Sequence, residues 1–85
     1  MPNIKSAKKR ARQNEERRER NRRDRSRMRT ALRKVREAED PETGRERMRE
    51  AESLLDRLAT KGVIHANTAA RHKSRLRAHV RGLEE

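Results

Sequence analysis

The sequence predicts an all-α protein, an antiparallel three-helix bundle with a long, basic N-terminal helix projecting from it. Three observations favour this fold class. Apolar residues recur at steps of three and four in three separate stretches. Pro41 and Gly62 separate these stretches at places where helices commonly begin or end. No stretch alternates apolar and polar residues as a half-buried strand does.

The first helix is predicted over residues 7–39, with Ser6 as its N-cap. Its apolar stripe begins only at Met28 and continues through Leu32 and Val35. The upstream positions on the same seam are polar: Arg10, Asn14, Arg17, Asn21 and Asp24. Because polar seam positions give the bundle nothing to bury, the N-terminal half is predicted to project as an arm.

The second helix is predicted to follow at once. Asp40 is a typical capping residue, and Pro41 suits the first helical position and also ends the preceding helix. Gly62 is expected to form the C-terminal cap. Gly44 weakens the first turn, so a start nearer Arg45 is an alternative.

The third helix is predicted to follow a connector over residues 63–66, with Asn67 or Thr68 as its N-cap. It should end near Arg81, before Gly82. The expected core positions of the second and third helices, with two connector residues, are Met48, Ala51, Leu54, Leu55, Leu58, Val63, Ile64, Ala69, Leu76, Val80 and Leu83. We divide the chain into an arm, residues 1–26, and a bundle, residues 27–85.

The composition limits what this fold can be. Only 28% of the 85 residues are hydrophobic and none is aromatic, so the core must be small and stability marginal. Residues 1–24 are expected to be largely disordered until a partner binds. The lack of cysteine excludes disulfides and thiolate metal sites. No apolar run suits a signal peptide or a membrane span, so a cytoplasmic protein is expected.

The charge is concentrated in one part of the chain. Residues 1–36 hold 16 bases and 4 acids, whereas residues 37–85 hold 10 of each, which together give the net charge of +12. Such a one-sided distribution is typical of nucleic-acid-binding proteins. The alternative to nucleic-acid binding is that the basic segment is only a solvent-exposed charged helix.

Two basic surfaces are candidates for binding a polyanion. On the first helix, one half carries the acids, and the other half carries Arg18, Arg22, Arg25, Arg29 and Arg36. A second patch is predicted around the third helix. Its bases are Lys61, Arg71, Lys73, Arg75 and Arg77, and Thr68 and Ser74 add hydroxyl groups. The N-terminus of that helix also offers free backbone N–H groups to an anion.

The sequence gives no support for a catalytic site or a metal site. His65, His72 and His79 are spaced by seven, whereas zinc-binding helices use spacings of about three to five. No nucleophile–base set shares a face and no glycine-rich loop could hold a nucleotide, so we expect no enzyme, cofactor or small-molecule substrate. A membrane-surface helix would need an apolar face, which residues 12–27 lack. A non-specific DNA-compacting protein and a module that docks an acidic protein remain alternatives.

Three stretches closely resemble the bacterial small-subunit ribosomal protein twenty (S-twenty) family. They are NIKSAKKR (Asn3 to Arg10), RSRMRTALRK (Arg25 to Lys34) and KGVIHANTAARHKSRL (Lys61 to Leu76). The resemblance implies a three-helix bundle that binds small-subunit (16S) ribosomal RNA directly during assembly, near the bottom of the subunit body. It implies contacts to the 5′ domain and to the penultimate stem of the 3′ minor domain. Pro2 and the high arginine content of residues 12–24 depart from the family pattern.

The basic surfaces and the resemblance together give a set of candidate RNA-binding residues in a chain expected to be monomeric outside the ribosome. The set comprises Lys5, Ser6, Lys8, Lys9, Arg10, Arg12, Arg17, Arg18, Arg22, Arg25, Ser26, Arg29, Thr30, Arg33, Lys61, His65, Asn67, Thr68, Arg71, Lys73, Ser74 and Arg75.

Overall fold

A computed structural model describes residues 4–85 and contains three α-helices. Helix α1 spans Ile4–Glu37, α2 spans Pro41–Lys61 and α3 spans Ala66–Glu84. No strand occurs within this range, so the predicted all-α class is confirmed. Residues 1–3, which belong to the predicted arm, lie outside the described residues. None of the three helices has the length and apolar content needed to cross a membrane.

The core is a single apolar cluster to which every helix contributes. The largest fully buried side chains of the protein are Val35 and Leu55, which belong to this cluster, and Leu58. The buried cluster comprises Leu32 and Val35 from α1, Ala51 and Leu55 from α2, and Ala69, Leu76 and Val80 from α3. Each helix therefore buries most of the stripe that its spacing of three and four predicts, whereas Met28, Met48, Leu54 and Leu83 are half-buried.

The N-terminal part of α1 leaves the bundle. Every residue from 4 to 23 is exposed, and the molecule is 66 Å long and 20 Å wide.

Two details of the predicted limits of the first helix are wrong. The helix begins at Ile4, so Ser6 lies within its first turn and is not the cap; neither Ile4 nor Lys5 opposes helix formation. It ends at Glu37 because the chain must become extended before Asp40 caps the next helix.

The start of α2 is as predicted at Asp40 and Pro41. Asp40 has an extended backbone, and its Oδ2 accepts a hydrogen bond of 2.9 Å from the Thr43 N–H. That hydrogen bond holds the pKa of Asp40 below its ordinary value of 3.8. Gly44 lies inside the helix and does not delay its start. A Cβ at Gly44 would lie 3.0 Å from the Leu83 Cδ1, so glycine allows the end of α3 to pack closely there.

Gly62 ends α2 in the left-handed conformation, with φ +80°. Its N–H donates to the Ala59 carbonyl oxygen at 3.1 Å, and the Val63 N–H donates to the Leu58 carbonyl oxygen at 2.9 Å. The turn therefore satisfies carbonyl groups that the helix end leaves open.

Replacing Gly62 with alanine should destabilise the bundle by about 1 kcal/mol, because a side chain strains the left-handed conformation. Gly82→Ala is the matched control, since a Cβ there meets open space and the residue is helical. We expect that control to be neutral or slightly stabilising. Urea unfolding measures both variants, and equal unfolding midpoints for the two would contradict this account of the turn.

Helix α3 departs from the prediction at both ends. Its N-cap is His65 rather than Asn67 or Thr68, and the His65 Nδ1 accepts a hydrogen bond of 3.0 Å from the Asn67 N–H. The helix also continues through Gly82 to Glu84. The half-buried Leu83 packs close to the first turn of α2, which favours this extension over an end at Gly82.

Candidate nucleic-acid interface

A groove along one side of α1 brings together the arginines that the sequence places on one helix face. Its volume is about 340 Å³, and it is lined by Arg18, Asn21, Arg22, Arg25 and Arg29. No acidic side chain lines this groove, so all of its charged lining residues are positive. The Arg25 Nη2 donates a hydrogen bond of 3.4 Å to the Val63 carbonyl oxygen, which ties this part of α1 to the α2–α3 turn.

A second basic cleft lies on the other side of α1, where the helix meets α2. Its volume is about 420 Å³. Ser26 and Thr30, both candidates, line it together with Arg23, Ala31, Arg27, Lys34, Arg47 and Glu50. The sequence reasoning missed its four bases, although Arg23, Arg27, Thr30 and Lys34 follow one another at steps of four, three and four. A helix that buries one stripe leaves an exposed strip of surface on each side of that stripe. We call each strip a lane, and both lanes of α1 carry basic residues.

The predicted second patch is not one continuous surface. Lys61 lines a cleft with α1 residues, whereas Lys73 and Ser74 lie beside Arg77 on the outer side of α3. Arg75 instead lines a small groove between α1 and α3. The bases of the patch are divided because they occupy different sides of the bundle, and their positions depend on how the helices pack.

Several candidate bases already have partners within the protein. The Lys73 Nζ lies 2.9 Å from the Asp56 Oδ1, and the Arg33 Nε lies 3.7 Å from the Glu37 Oε1. These exposed pairs are weak and can exchange for phosphate. At the start of α3, His65 already accepts a hydrogen bond from the Asn67 N–H, so the predicted anion site there has one fewer free donor.

The remaining candidates lie on surfaces that a large ligand can reach. Thr68 is half-buried and Arg71 is exposed on α3. The others are exposed along the projecting part of α1: Lys5, Ser6, Lys8, Lys9, Arg10, Arg12 and Arg17.

Comparison with known proteins identifies the family of the chain. The profile of the family described as "Ribosomal protein S20" matches residues 2–81. A relative from Alkalilimnicola ehrlichii named "Small ribosomal subunit protein bS20" is 51% identical, and the alignment covers 99% of each chain. The chain belongs to the ribosomal protein S20 family. Proteins of the same name from Pseudoalteromonas atlantica and Proteus mirabilis are 52% and 48% identical over 98% of this chain.

Membership of the S-twenty family bears on two predictions. The resemblance stated from three sequence stretches is confirmed over nearly the whole chain. The family is one of ribosomal proteins and not of enzymes, which agrees with the prediction that the chain has no catalytic activity.

Asp24 is the one seam position upstream of Met28 for which the predicted exposure is wrong. Its exposed fraction is 6%, although it lies within the projecting half of α1 as the sequence defines it. Asp24 continues the stripe of Met28 and Leu32 at steps of four, so it faces the bundle despite its polarity. The α2–α3 turn lies against this point of the helix.

His72 is a titratable group in the small groove between α1 and α3. The groove has a volume of about 220 Å³ and is lined by Leu32, Arg36, His72, Arg75, Leu76 and His79. The pKa of His72 lies below its ordinary value of 6.5 because burial disfavours the imidazolium, and because Arg71, Arg75 and Arg36 repel its positive charge.

Lowering the pH below about 6.5 should therefore destabilise the free bundle. Above that pH the imidazole is neutral in both states, so His72 contributes no pH dependence. Below it the unfolded chain binds the proton first, and stability falls until the folded imidazole is protonated too. The His72→Gln variant should show a shallower decrease of the melting temperature between about pH 7 and pH 5. Parallel profiles for variant and wild type would contradict this expectation.

Proposed function

We propose that the chain is a structural constituent of the small ribosomal subunit that binds 16S ribosomal RNA directly and stabilises its folding during assembly. The observation that carries this proposal is the acid-free arginine groove of α1 in a member of the ribosomal protein S20 family. The names of the relatives, each a small ribosomal subunit protein, support the same role. That role would place the chain in the cytoplasm, within the ribosome.

The binding mode follows from the chemistry of the exposed side chains. Guanidinium groups bind phosphate oxygens bidentately and stack on bases, so the groove suits a folded RNA backbone. Residues 4–23 are exposed, which leaves their whole surface to the RNA. Because basic lanes lie on both sides of α1, the helix can lie between two RNA segments and hold them together. Phosphate and shape contacts would then dominate over base readout.

The candidate RNA-binding residues remain a proposal, to which the structure suggests one addition. The cleft beside α2 adds Arg23, Arg27, Lys34 and Arg47 to the bases proposed to bind phosphate. The arm, residues 1–26, is proposed to bind RNA while residues 27–85 form the bundle that positions it. We also propose that the free protein is monomeric, has no small-molecule substrate, and keeps the helix over residues 4–24 stably formed only when RNA is bound.

Competition binding tests the proposal against a non-specific DNA-binding protein. A labelled complex of the chain with folded 16S ribosomal RNA is challenged with unlabelled 16S RNA or with duplex DNA of equal nucleotide concentration. We expect the RNA to displace the label at a much lower concentration than the DNA, because DNA lacks the folded clefts and the 2′-hydroxyl groups. Equal displacement by the two competitors would favour the DNA-compacting alternative.

A further inference from the structure

A cleft lies between α1 and the turn that joins α2 to α3, and we call it the Asp24 cleft. Its volume is about 540 Å³. It is lined by Arg17, Arg20, Asn21 and Asp24 from α1 and by Lys61, Gly62 and Val63 from the turn. The hydrogen bond from Arg25 to the Val63 carbonyl oxygen joins its two walls.

Asp24 is an unusual group to find in this cleft. Its exposed fraction is 6%, and its Oδ2 is enclosed with no hydrogen-bond partner within residues 4–85. A buried carboxylate oxygen without a partner costs free energy, since it has lost water and gained no donor in return. The acids that form ion pairs in the described part of the chain are others: Glu37, Glu50, Glu52, Asp56 and Glu84.

The chemistry of the missing partner is restricted. An ionised carboxylate only accepts hydrogen bonds, so the partner must be a donor. Phosphate offers no donor and is repelled by the carboxylate, so Asp24 disfavours the RNA backbone at this point. RNA has two kinds of neutral donor: the ribose 2′-hydroxyl and the amino-bearing edges of bases.

We propose that the Asp24 cleft binds one RNA nucleotide and that Asp24 accepts a hydrogen bond from a neutral donor of that nucleotide. Arg17, Arg20 and Lys61 are exposed at the cleft, where they bind the flanking phosphates. Their long side chains move outward to the phosphates and leave room for the nucleotide to reach the Asp24 carboxylate. This inference rests on the proposed function, because it assigns a specific contact within the same RNA complex.

The affinity test asks whether removing the Asp24 carboxylate weakens or strengthens RNA binding. Asp24→Ala and Glu19→Ala each remove one negative charge from α1, and Glu19 is exposed and outside the cleft. Charge alone predicts that both variants bind 16S ribosomal RNA as tightly as wild type or more tightly. We expect Glu19→Ala to do so, whereas Asp24→Ala should bind about tenfold more weakly because it loses a charged hydrogen bond. Filter binding at one fixed salt concentration measures all three proteins.

Chemical probing of the saturated complexes identifies the donor. Wild-type and Asp24→Ala complexes are compared by 2′-hydroxyl acylation and by kethoxal and dimethyl sulfate modification of base edges. A nucleotide protected only in the wild-type complex from acylation indicates a ribose donor, and one protected only from the base reagents indicates a base donor. Because this comparison uses saturated complexes, it also works when a variant binds weakly.

Three results would overturn the inference. One is an Asp24→Ala affinity equal to or above that of wild type, as for the Glu19→Ala control. Another is a lower unfolding midpoint for free Asp24→Ala that accounts for its weaker binding, since removal of an unpartnered buried carboxylate should not destabilise the bundle. The last is identical probing patterns for wild type and Asp24→Ala. Failure of the proposed function is a separate outcome, because wild type itself would then not bind the RNA.

Discussion

A tenfold rise in salt concentration should lower the affinity of the chain for 16S ribosomal RNA by about seven to nine powers of ten, if about ten phosphates are contacted. The reason is the release of counterions from each phosphate that a lysine or arginine neutralises. The exposed bases of α1 and its two basic lanes provide enough cations for this number of contacts. Because so steep a change exceeds the range of one assay, filter binding over narrow salt steps should give the slope.

The salt slope separates phosphate binding from other modes of recognition. A slope near zero would mean that base stacking or hydrogen bonds to bases dominate, which the arginine groove does not favour. Replacing chloride with glutamate as the anion is a useful control. The salt slope should stay the same, because it arises from the release of cations from the RNA.

The second large effect is expected from removing the arginine groove. Substituting Arg18, Arg22, Arg25 and Arg29 together with alanine should lower the RNA affinity about a thousandfold at roughly 0.1 M salt. The same variant should show a salt slope shallower by about three to four, because each phosphate contact contributes roughly 0.7 to 0.9. Filter binding gives both quantities in one series.

A matched variant removes the same charge elsewhere. Arg45, Arg49, Arg57 and Arg81 are exposed on α2 and α3 and belong to neither candidate surface, and Arg45 pairs with Glu84. Their substitution with alanine lowers the net charge by the same four units but leaves α1 intact. We expect a much smaller loss of affinity than in the groove variant. Equal losses would show that overall charge, and not the groove, determines binding.

Local signals in the sequence were sufficient to predict most of the fold. Pro41 and Gly62 mark helix ends by backbone chemistry that acts within a few residues, so the limits of α2 could be predicted. The spacing of Leu55 and Leu58 likewise gives their burial without knowledge of their partners. The arginine groove could be predicted for the same reason, because its members share one face of a single helix.

Features that depend on packing between helices could not be predicted. The continuation of α3 past Gly82 accompanies the packing of Leu83 near Gly44, which is distant in sequence. The His65 cap depends on the path of the turn, and histidine is not among the preferred caps. The division of the α3 patch and the burial of Asp24 both follow from where the α2–α3 turn meets α1.

The most direct test of a role in the small ribosomal subunit is sedimentation of a bacterial extract containing the tagged chain. We expect the chain to sediment with the small subunits in a sucrose gradient at low salt, and nuclease treatment of the ribosomal RNA should release it. The groove variant should shift toward the top of the gradient while the matched variant remains with the subunits. A wild-type chain that stays at the top of the gradient, or that sediments with chromosomal DNA, would show that it is not a component of the small subunit.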